Sequence, residues 1–556
     1  MSDENPTPKS VWSLFAEPEK SESAPSPFWK LFGTDEPPPE EQLPSGPEFD
    51  VNSVFWAMRN LPVNEAVKHF LICGATGSGK SLSIQLLLKS IADRFLPRPE
   101  EPTTKSEPNA TGKSPPDPKD LGEQLILFDA KCDALPMLAA LGLHKPHDNF
   151  WILNPFDRRS AEWRFSEAVT NPGMARALAT LLIPEERGSN APFFADAARE
   201  LVYAVLQSLN KVAGSDWDFR DLLCALDSRE NIEGITAQHA PAERLAKRIL
   251  DDERHSNGVL STMASKLGRF EQVAALWHSL PDNTPRFSVK EFLKKPGVLV
   301  LGNDPVLRDS FWPINAILLK ALANEILRGP EVNYPRFWFV LDEFRAMEKI
   351  DCIHDLLNRG RSKGVSVLLG IQTYEGLAQV YGDNGANDIL SQCGFKTFLR
   401  AGGPRTAEWA EQFFNKVRRI EETHSESTGT EGSSKSKQYS LQERSMFLAS
   451  YFLDLPFPVP GGAFAAVCDV PYLGETLIVQ RSADQVIKWA NDPPPDKDVP
   501  AVDPREEPED QTLSPWGEAD ELKFLKKSPA NDTNNQNKPE PSNEQIKLPE
   551  RHDVDL

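Results

Sequence analysis

The chain lacks any apolar run long enough to cross a membrane, for which roughly 18 residues in succession are needed, so no transmembrane helix is expected. No secretory leader is expected either. Met1-Ser2-Asp3-Glu4 opens an acidic, proline-rich stretch with neither a basic start nor an apolar centre. Cysteine is scarce: Cys73, Cys132, Cys224, Cys352, Cys393 and Cys468 are widely scattered and form no C-x-x-C pair. That argues against disulfides and structural metal, and for reduced thiols in the cytoplasm. Basic residues are outnumbered, 61 Lys and Arg against 82 Asp and Glu, so net charge gives no support for nucleic-acid binding. Of the net charge of −21, however, residues 1–50 carry −8 and residues 491–556 carry −9. The −4 left on the body does not oppose an anionic ligand there. With 39% hydrophobic residues and 48 prolines, disordered segments must dilute an ordinary core. A chain of 556 residues is too long for one core, so two or three domains are expected.

What is present centres on residues 69–81. A short apolar run, His69-Phe70-Leu71-Ile72-Cys73, ends in the turn Gly74-Ala75-Thr76-Gly77-Ser78-Gly79-Lys80-Ser81, and a helical pattern follows over 82–95. This is strand, loop, helix, and the turn fits the P-loop pattern G-x-x-x-x-G-K-[ST]. The three glycines let backbone N–H groups converge on phosphate oxygens with no Cβ in the way. Lys80 sets an ammonium on the β- and γ-phosphates of ATP. The Ser81 hydroxyl is a Mg²⁺ ligand, and the helix presents its positive end to the anion.

A second run, Phe337-Trp338-Phe339-Val340-Leu341-Asp342-Glu343, is an apolar strand ending in two carboxylates. On a strand neighbouring a P-loop, Asp342 would hold Mg²⁺ and Glu343 would polarise the attacking water. Surface carboxylates at strand ends are common, so the P-loop upstream gives this pair its weight. Asn358-Arg359-Gly360-Arg361-Ser362-Lys363-Gly364 then turns the chain into another strand closed by Gln372. By spacing alone, Arg361 reads as a solvated basic helix end favoured by the helix dipole.

Residues 1–50 read as a disordered acidic tail holding two W-x-L-F islands, at Trp12 and Trp29, either chance or a duplicated docking motif. A nucleotide-binding domain is expected over 51–158, with a mobile insertion at 97–120. Strands are expected at 124–128 and 150–153. An all-α subdomain follows over 159–290, with helical spacing at 175–182, 195–209, 219–225, 243–252 and 258–276. The second part of the nucleotide-binding domain covers 291–490. Its strands are expected at 298–302, 337–341, 366–371, 395–399, 463–467 and 475–479, and its helices at 314–328, 350–358, 376–381 and 406–414. Residues 424–438 read as a flexible loop. Residues 491–556 read as a disordered acidic tail with one candidate helix at 516–527. Strands alternating with helices argue for an α/β fold with a doubly wound, mostly parallel sheet.

The run Leu341-Asp342-Glu343-Phe344, then Gly360-Arg361-Ser362-Lys363-Gly364, then Gln372, resembles the coupling proteins of conjugation and type IV secretion, the TraD/TraG group. So do Asp129-Ala130-Lys131, Asn154-Pro155-Phe156 with Trp163, and Phe193-Phe194 leading into Ala197-Ala198-Arg199. Residues 389–399 after Tyr381-Gly382, and residues 444–456, match as well. Coverage runs from about 65 to 480 in the family's order. The resemblance implies a RecA-like P-loop ATPase carrying an all-α domain. It implies a self-associating ring, hexameric in the family, that hydrolyses ATP with Mg²⁺ to move DNA toward a secretion channel. Lys80 and Ser81 match the P-loop pair, Asp342 and Glu343 the acidic pair, Arg361 the trans-acting arginine and Gln372 the third motif. Secretion-channel and relaxase-like proteins are the implied partners. No counterpart of the family's N-terminal transmembrane hairpin is expected in these residues, and the expectation is a cytoplasmic protein, either free or peripheral at the inner face of the membrane. Cys132 also stands where a glycine is common. Two other readings stay open: a motor of the same fold in DNA segregation, processing or packaging, and a nucleotide-gated substrate receptor that does not translocate.

Overall fold

The computed structural model describes residues 47, 49–50, 52–97, 122–144, 149–184, 192–280, 284–303, 308–347, 349–414, 416–429, 432–505 and 512–525. Both W-x-L-F islands, all of the 97–120 insertion but Pro97, and residues 526–556 lie outside them. Nine strands form the central sheet. In chain order they are β1 (Phe70–Cys73), β2 (Gln124–Phe128), β3 (Phe150–Leu153), β4 (Gly297–Leu301), β5 (Val332–Leu341), β6 (Lys363–Ile371), β7 (Phe395–Phe398), β8 (Ala463–Val470) and β9 (Glu475–Ser482). The spatial order is β9-β8-β7-β1-β6-β5-β2-β4-β3. Every pairing from β7 across to β3 is parallel, while β8 and β9 add an antiparallel hairpin at one edge. This is the α/β, doubly wound, mostly parallel architecture that the alternation of elements leads one to expect.

The inner parallel strands are mostly apolar and buried because both faces are covered, as a parallel sheet requires. Alternate residues belong to opposite layers: Phe70, Ile72, Leu125, Leu127, Trp338 and Val340 pack in one cluster. Leu71, Cys73, Ile126, Phe128, Phe339 and Leu341 pack in the other. Each fully buried side chain of this size contributes about 1.5–3 kcal/mol. The second cluster continues without a break into the helices between β3 and β4. These are Pro172–Leu182, Pro192–Ala213, Phe219–Asp227, Arg229–Thr236, Ala240–Leu250, Glu253–Leu267, Glu271–His278 and the short Val289–Phe292. Their starts are written in the sequence: Asn171, Asp218, Ser228 and Asp252 each accept a first-turn N–H.

Five expectations need correction. The strand ending in Asp342 and Glu343, expected beside the P-loop strand, is separated from β1 by β6. The region read as all-α over 159–290 also holds a two-stranded parallel sheet, Glu162–Trp163 with Arg286–Phe287. The helix read over 258–276 is two helices, because Gly268 opens a short 3-10 turn, Gly268–Phe270, between them. Residues 424–438, read as a flexible loop, belong to a long antiparallel ribbon, Lys416–Gly429 paired with Gly432–Ser445. Its register sets Arg418 opposite Glu443 and Glu426 opposite Lys435. The chain also does not leave the body at Asn491. Lys89 Nζ donates to the carbonyls of Trp489 and Asp492, at 2.7 and 2.6 Å. Further on, helix Glu518–Phe524 packs on the helical region with Trp516 and Phe524 stacked and buried. Arg220, only 5% exposed, explains the attachment. A buried guanidinium needs partners, and it finds them in the carbonyls of Ser514 and Pro515 and the Asp520 carboxylate.

Candidate nucleotide site

The glycine-rich turn sits at the carboxyl end of β1, between β6 and β7, and leads into helix α1 (Lys80–Ile91). It is tied to both neighbours: Gly74 N–H donates to the Ile371 carbonyl at 3.1 Å and Ala75 N–H to that of Arg400 at 2.8 Å. Gly79 must be glycine twice over. Its φ is +103°, and a Cβ there would come within 2.8 Å of the Phe464 ring. Thr76, Gly77 and Ser81 face solvent, Ala75 is half-buried, and Gly74, Ser78, Gly79 and Lys80 are buried. Lys80 Nζ folds back to donate to the Gly74 carbonyl at 2.6 Å. Burial lowers its pKa, and the charges of Glu343 and Asp342 oppose that shift.

Asp342 and Glu343 leave the end of β5, and Gln372 leaves the end of β6 beside them. Gln372 Nε2 donates to Glu343 Oε2 at 2.6 Å, so two residues chosen from separate motifs meet. Glu343 has φ +63°, a conformation that costs a non-glycine residue on the order of 1–3 kcal/mol and recurs at functional sites. Gly370 on β6 keeps the space beside Asp342 clear, since a Cβ there would lie 2.8 Å from Asp342 Oδ1.

Lys131, at the carboxyl end of β2, had no role assigned from the sequence. Its Nζ lies 3.1 Å from Ser81 Oγ and 3.3 Å from Asp342 Oδ2, between the two candidate metal ligands. The loop that carries it is built: Asp129 accepts from the N–H groups of Asp133 and Ala134, and Cys132, at φ +56°, donates its thiol to the Asn303 carbonyl. The sequence signals were a lysine just past an apolar strand and the Asp129-Ala130-Lys131 run that shares in the resemblance. Strand order, which puts β2 next to β5, gives them meaning.

Two buried polar atoms here have no hydrogen-bond partner, Asp342 Oδ1 and Ser78 Oγ. Buried polar groups normally have one, so a cation beside the carboxylate and an anion over the loop suit the residues present. Among the described residues no three His, Cys, Asp or Glu side chains gather to hold a metal by themselves. A hard cation taking Ser81 and Asp342 oxygens with phosphate and water needs no such cage.

Arg361 is not brought to this site. It lies on the exposed turn before β6, whereas Gln372 follows the strand's far end. The nine residues of β6 put roughly 25–30 Å between them, far beyond the reach of an arginine side chain. Arg361 instead lines an open groove of about 750 Å³ with Asn64, Lys68, Glu331, Tyr334 and Asn358.

Residues 56–459 match the family model described as the type IV secretion-system coupling protein DNA-binding domain. The chain is 22% identical over 368 residues to the coupling protein TraD of Escherichia coli (strain K12), covering 63% of this chain and 44% of that protein. It thus spans less than half of that relative's length. Among solved structures it resembles the plasmid coupling protein TrwB in complex with ADP and Mg²⁺, with TM-score 0.56, 18% identity, and coverage of 78% of this chain and 89% of that one. The same protein with a non-hydrolysable ATP analogue matches with TM-score 0.56 and 18% identity, over 78% and 90% of the two chains. At these identities the likeness establishes a shared fold. No helix among the described residues is long and apolar enough to cross a membrane.

Proposed function

The chain belongs to the type IV secretion-system coupling protein family, and on that premise we propose that it is an ATP-hydrolysing motor driving DNA or nucleoprotein toward a secretion channel. The observation that carries this reading is the convergence of Lys80, Ser81, Asp342, Glu343 and Gln372 at the carboxyl ends of β1, β5 and β6. The turn amides and Lys80 hold the β- and γ-phosphates. Ser81 and Asp342 are the residues that would hold Mg²⁺, whose charge, when bound, offsets that of the phosphate oxygens. Glu343 takes a proton from the attacking water. Gln372, through its bond to Glu343, sets that carboxylate and responds to the terminal phosphate. Arg361 stands too far from its own site to act there, so it serves the site of a neighbouring copy, and catalysis requires a ring.

Steady-state ATP hydrolysis, with and without single- and double-stranded DNA at two salt concentrations, tests this reading. The expected outcome is turnover that DNA raises, by an amount that falls with salt as phosphate contacts are screened. Hydrolysis indifferent to DNA would favour a nucleotide-gated receptor, and no hydrolysis in assembled rings would sink the motor.

A further inference from the structure

A nucleoside triphosphate has two ends, and the residues above account for one. Glu343 and Gln372 lie on the β6–β5 side of the P-loop strand. A triphosphate held by Lys80 with its terminal phosphate toward Glu343 must leave its sugar and base on the other side, over β7 and β8. There stands a segment that the phosphate chemistry does not use, Leu455-Pro456-Phe457-Pro458-Val459-Pro460. Phe457 is 41% exposed and Val459 54%, large apolar side chains held in water beside the loop. A Cβ at Gly77 would lie 3.9 Å from Phe457 Cδ1, and one at Gly79 would lie 3.3 Å from Pro458 Cγ. Phe457 is also held in place. Arg400, whose carbonyl accepts the Ala75 N–H, donates from Nη1 to the Leu455 carbonyl at 2.8 Å. Its guanidinium lies 4.8 Å from the centre of the Phe457 ring. The three prolines restrict the backbone on both sides of the aromatic.

We propose that Phe457, backed by Arg400, is the platform on which the purine base of the nucleotide stacks. The proposal rests on the nucleotide-binding reading and adds the part of the ligand that the P-loop cannot recognise. Every base presents a π-face to an aromatic ring, and loss of one such contact weakens binding by about tenfold or more. The phosphates are held elsewhere, so the effect depends on the base being present.

The test is equilibrium binding of ADP and of inorganic tripolyphosphate, each with Mg²⁺, to the full chain and to Phe457→Ala and Phe457→Trp. Phe457→Ala should weaken ADP about tenfold and leave tripolyphosphate unchanged. Phe457→Trp should keep the ADP affinity, and the emission it adds over the wild type should be quenched by ADP and not by tripolyphosphate. Unchanged ADP affinity in Phe457→Ala, equal weakening of both ligands, or an added emission insensitive to ADP would overturn the platform. A wild-type chain that binds neither ligand would remove the nucleotide reading and the platform with it.

Discussion

The two ends of the parallel strands are built to different standards. At the carboxyl ends, polar groups converge from four strands, β1, β2, β5 and β6, and two of their buried atoms lack partners. At the amino ends, β1 and β6 are tied together. His69, 1% exposed at the head of β1, places Nε2 3.0 Å from the Leu357 carbonyl and accepts the Val367 N–H at Nδ1, 3.2 Å away. One residue so links β1, β6 and helix Cys352–Arg359, which leads directly into the Arg361 turn. The carboxyl end gathers the groups of the candidate nucleotide site, and the amino end holds the exposed Arg361 on a fixed base. Stacking two copies so that one's amino end faces the other's carboxyl end would complete the site.

Breaking the amino end should have the largest effect. Arg361→Ala is expected to bind ATP normally and to hydrolyse it on the order of 10³–10⁵ more slowly. Specific activity of the wild type should rise with protein concentration if, as proposed, a neighbouring copy supplies the arginine. Full turnover by Arg361→Ala would return this residue to a solvated helix end.

Breaking the carboxyl end comes next. Glu343→Gln should retain ATP binding and lose on the order of 10²–10⁴ in turnover, whereas Lys80→Ala should lose productive nucleotide binding itself. Glu343→Gln still offers an intact Arg361, and Arg361→Ala an intact Glu343. Mixed rings of the two inactive variants should therefore regain activity where the intact groups meet. Absence of any recovery in verified mixed rings would separate the two ends functionally.

A change distant from both ends calibrates the comparison. Phe524→Ala, which empties the packing against Trp516, should lower stability by roughly 3–5 kcal/mol in denaturant unfolding and leave turnover per folded molecule unchanged. A chain ending at Asn491 should lose stability for the same reason. Unaltered unfolding in both would mean that this attachment contributes nothing.

The smallest expected effect belongs to His69. Burial pushes its pKa down to about 4 from 6.5, against the pull of the Leu357 carbonyl and with a lesser push from Arg361. The folded chain therefore holds the neutral ring. Its contribution, on the order of 3 kcal/mol, is full above pH 6.5 and is lost as pH falls toward 4, where the unfolded chain protonates first. His69→Asn should be less stable at pH 7 and should show a shallower loss between pH 6.5 and 4. An unchanged slope would mean that His69 does not carry the acid sensitivity of this end.

Much of this was legible locally. The glycines and Lys80 of the P-loop, the apolar strand ending in Asp342 and Glu343, and the glycine-flanked Arg361 turn are read within a few residues, because backbone freedom, strand periodicity and charge placement act over that range. The alternation of strands and helices announced the parallel sheet on the same grounds. Which groups meet depended on strand order, which no local pattern carries. Lys131 reaches Ser81 because β2 lies beside β5, and Phe457 reaches the P-loop because the chain after β7 returns to it. Arg361 is kept from its own site by the length of β6. The end of the chain departs from its composition for a related reason. Its composition is that of a disordered tail, but the buried Arg220 that needs it lies some 300 residues earlier in the chain, and only the folded structure brings the two together.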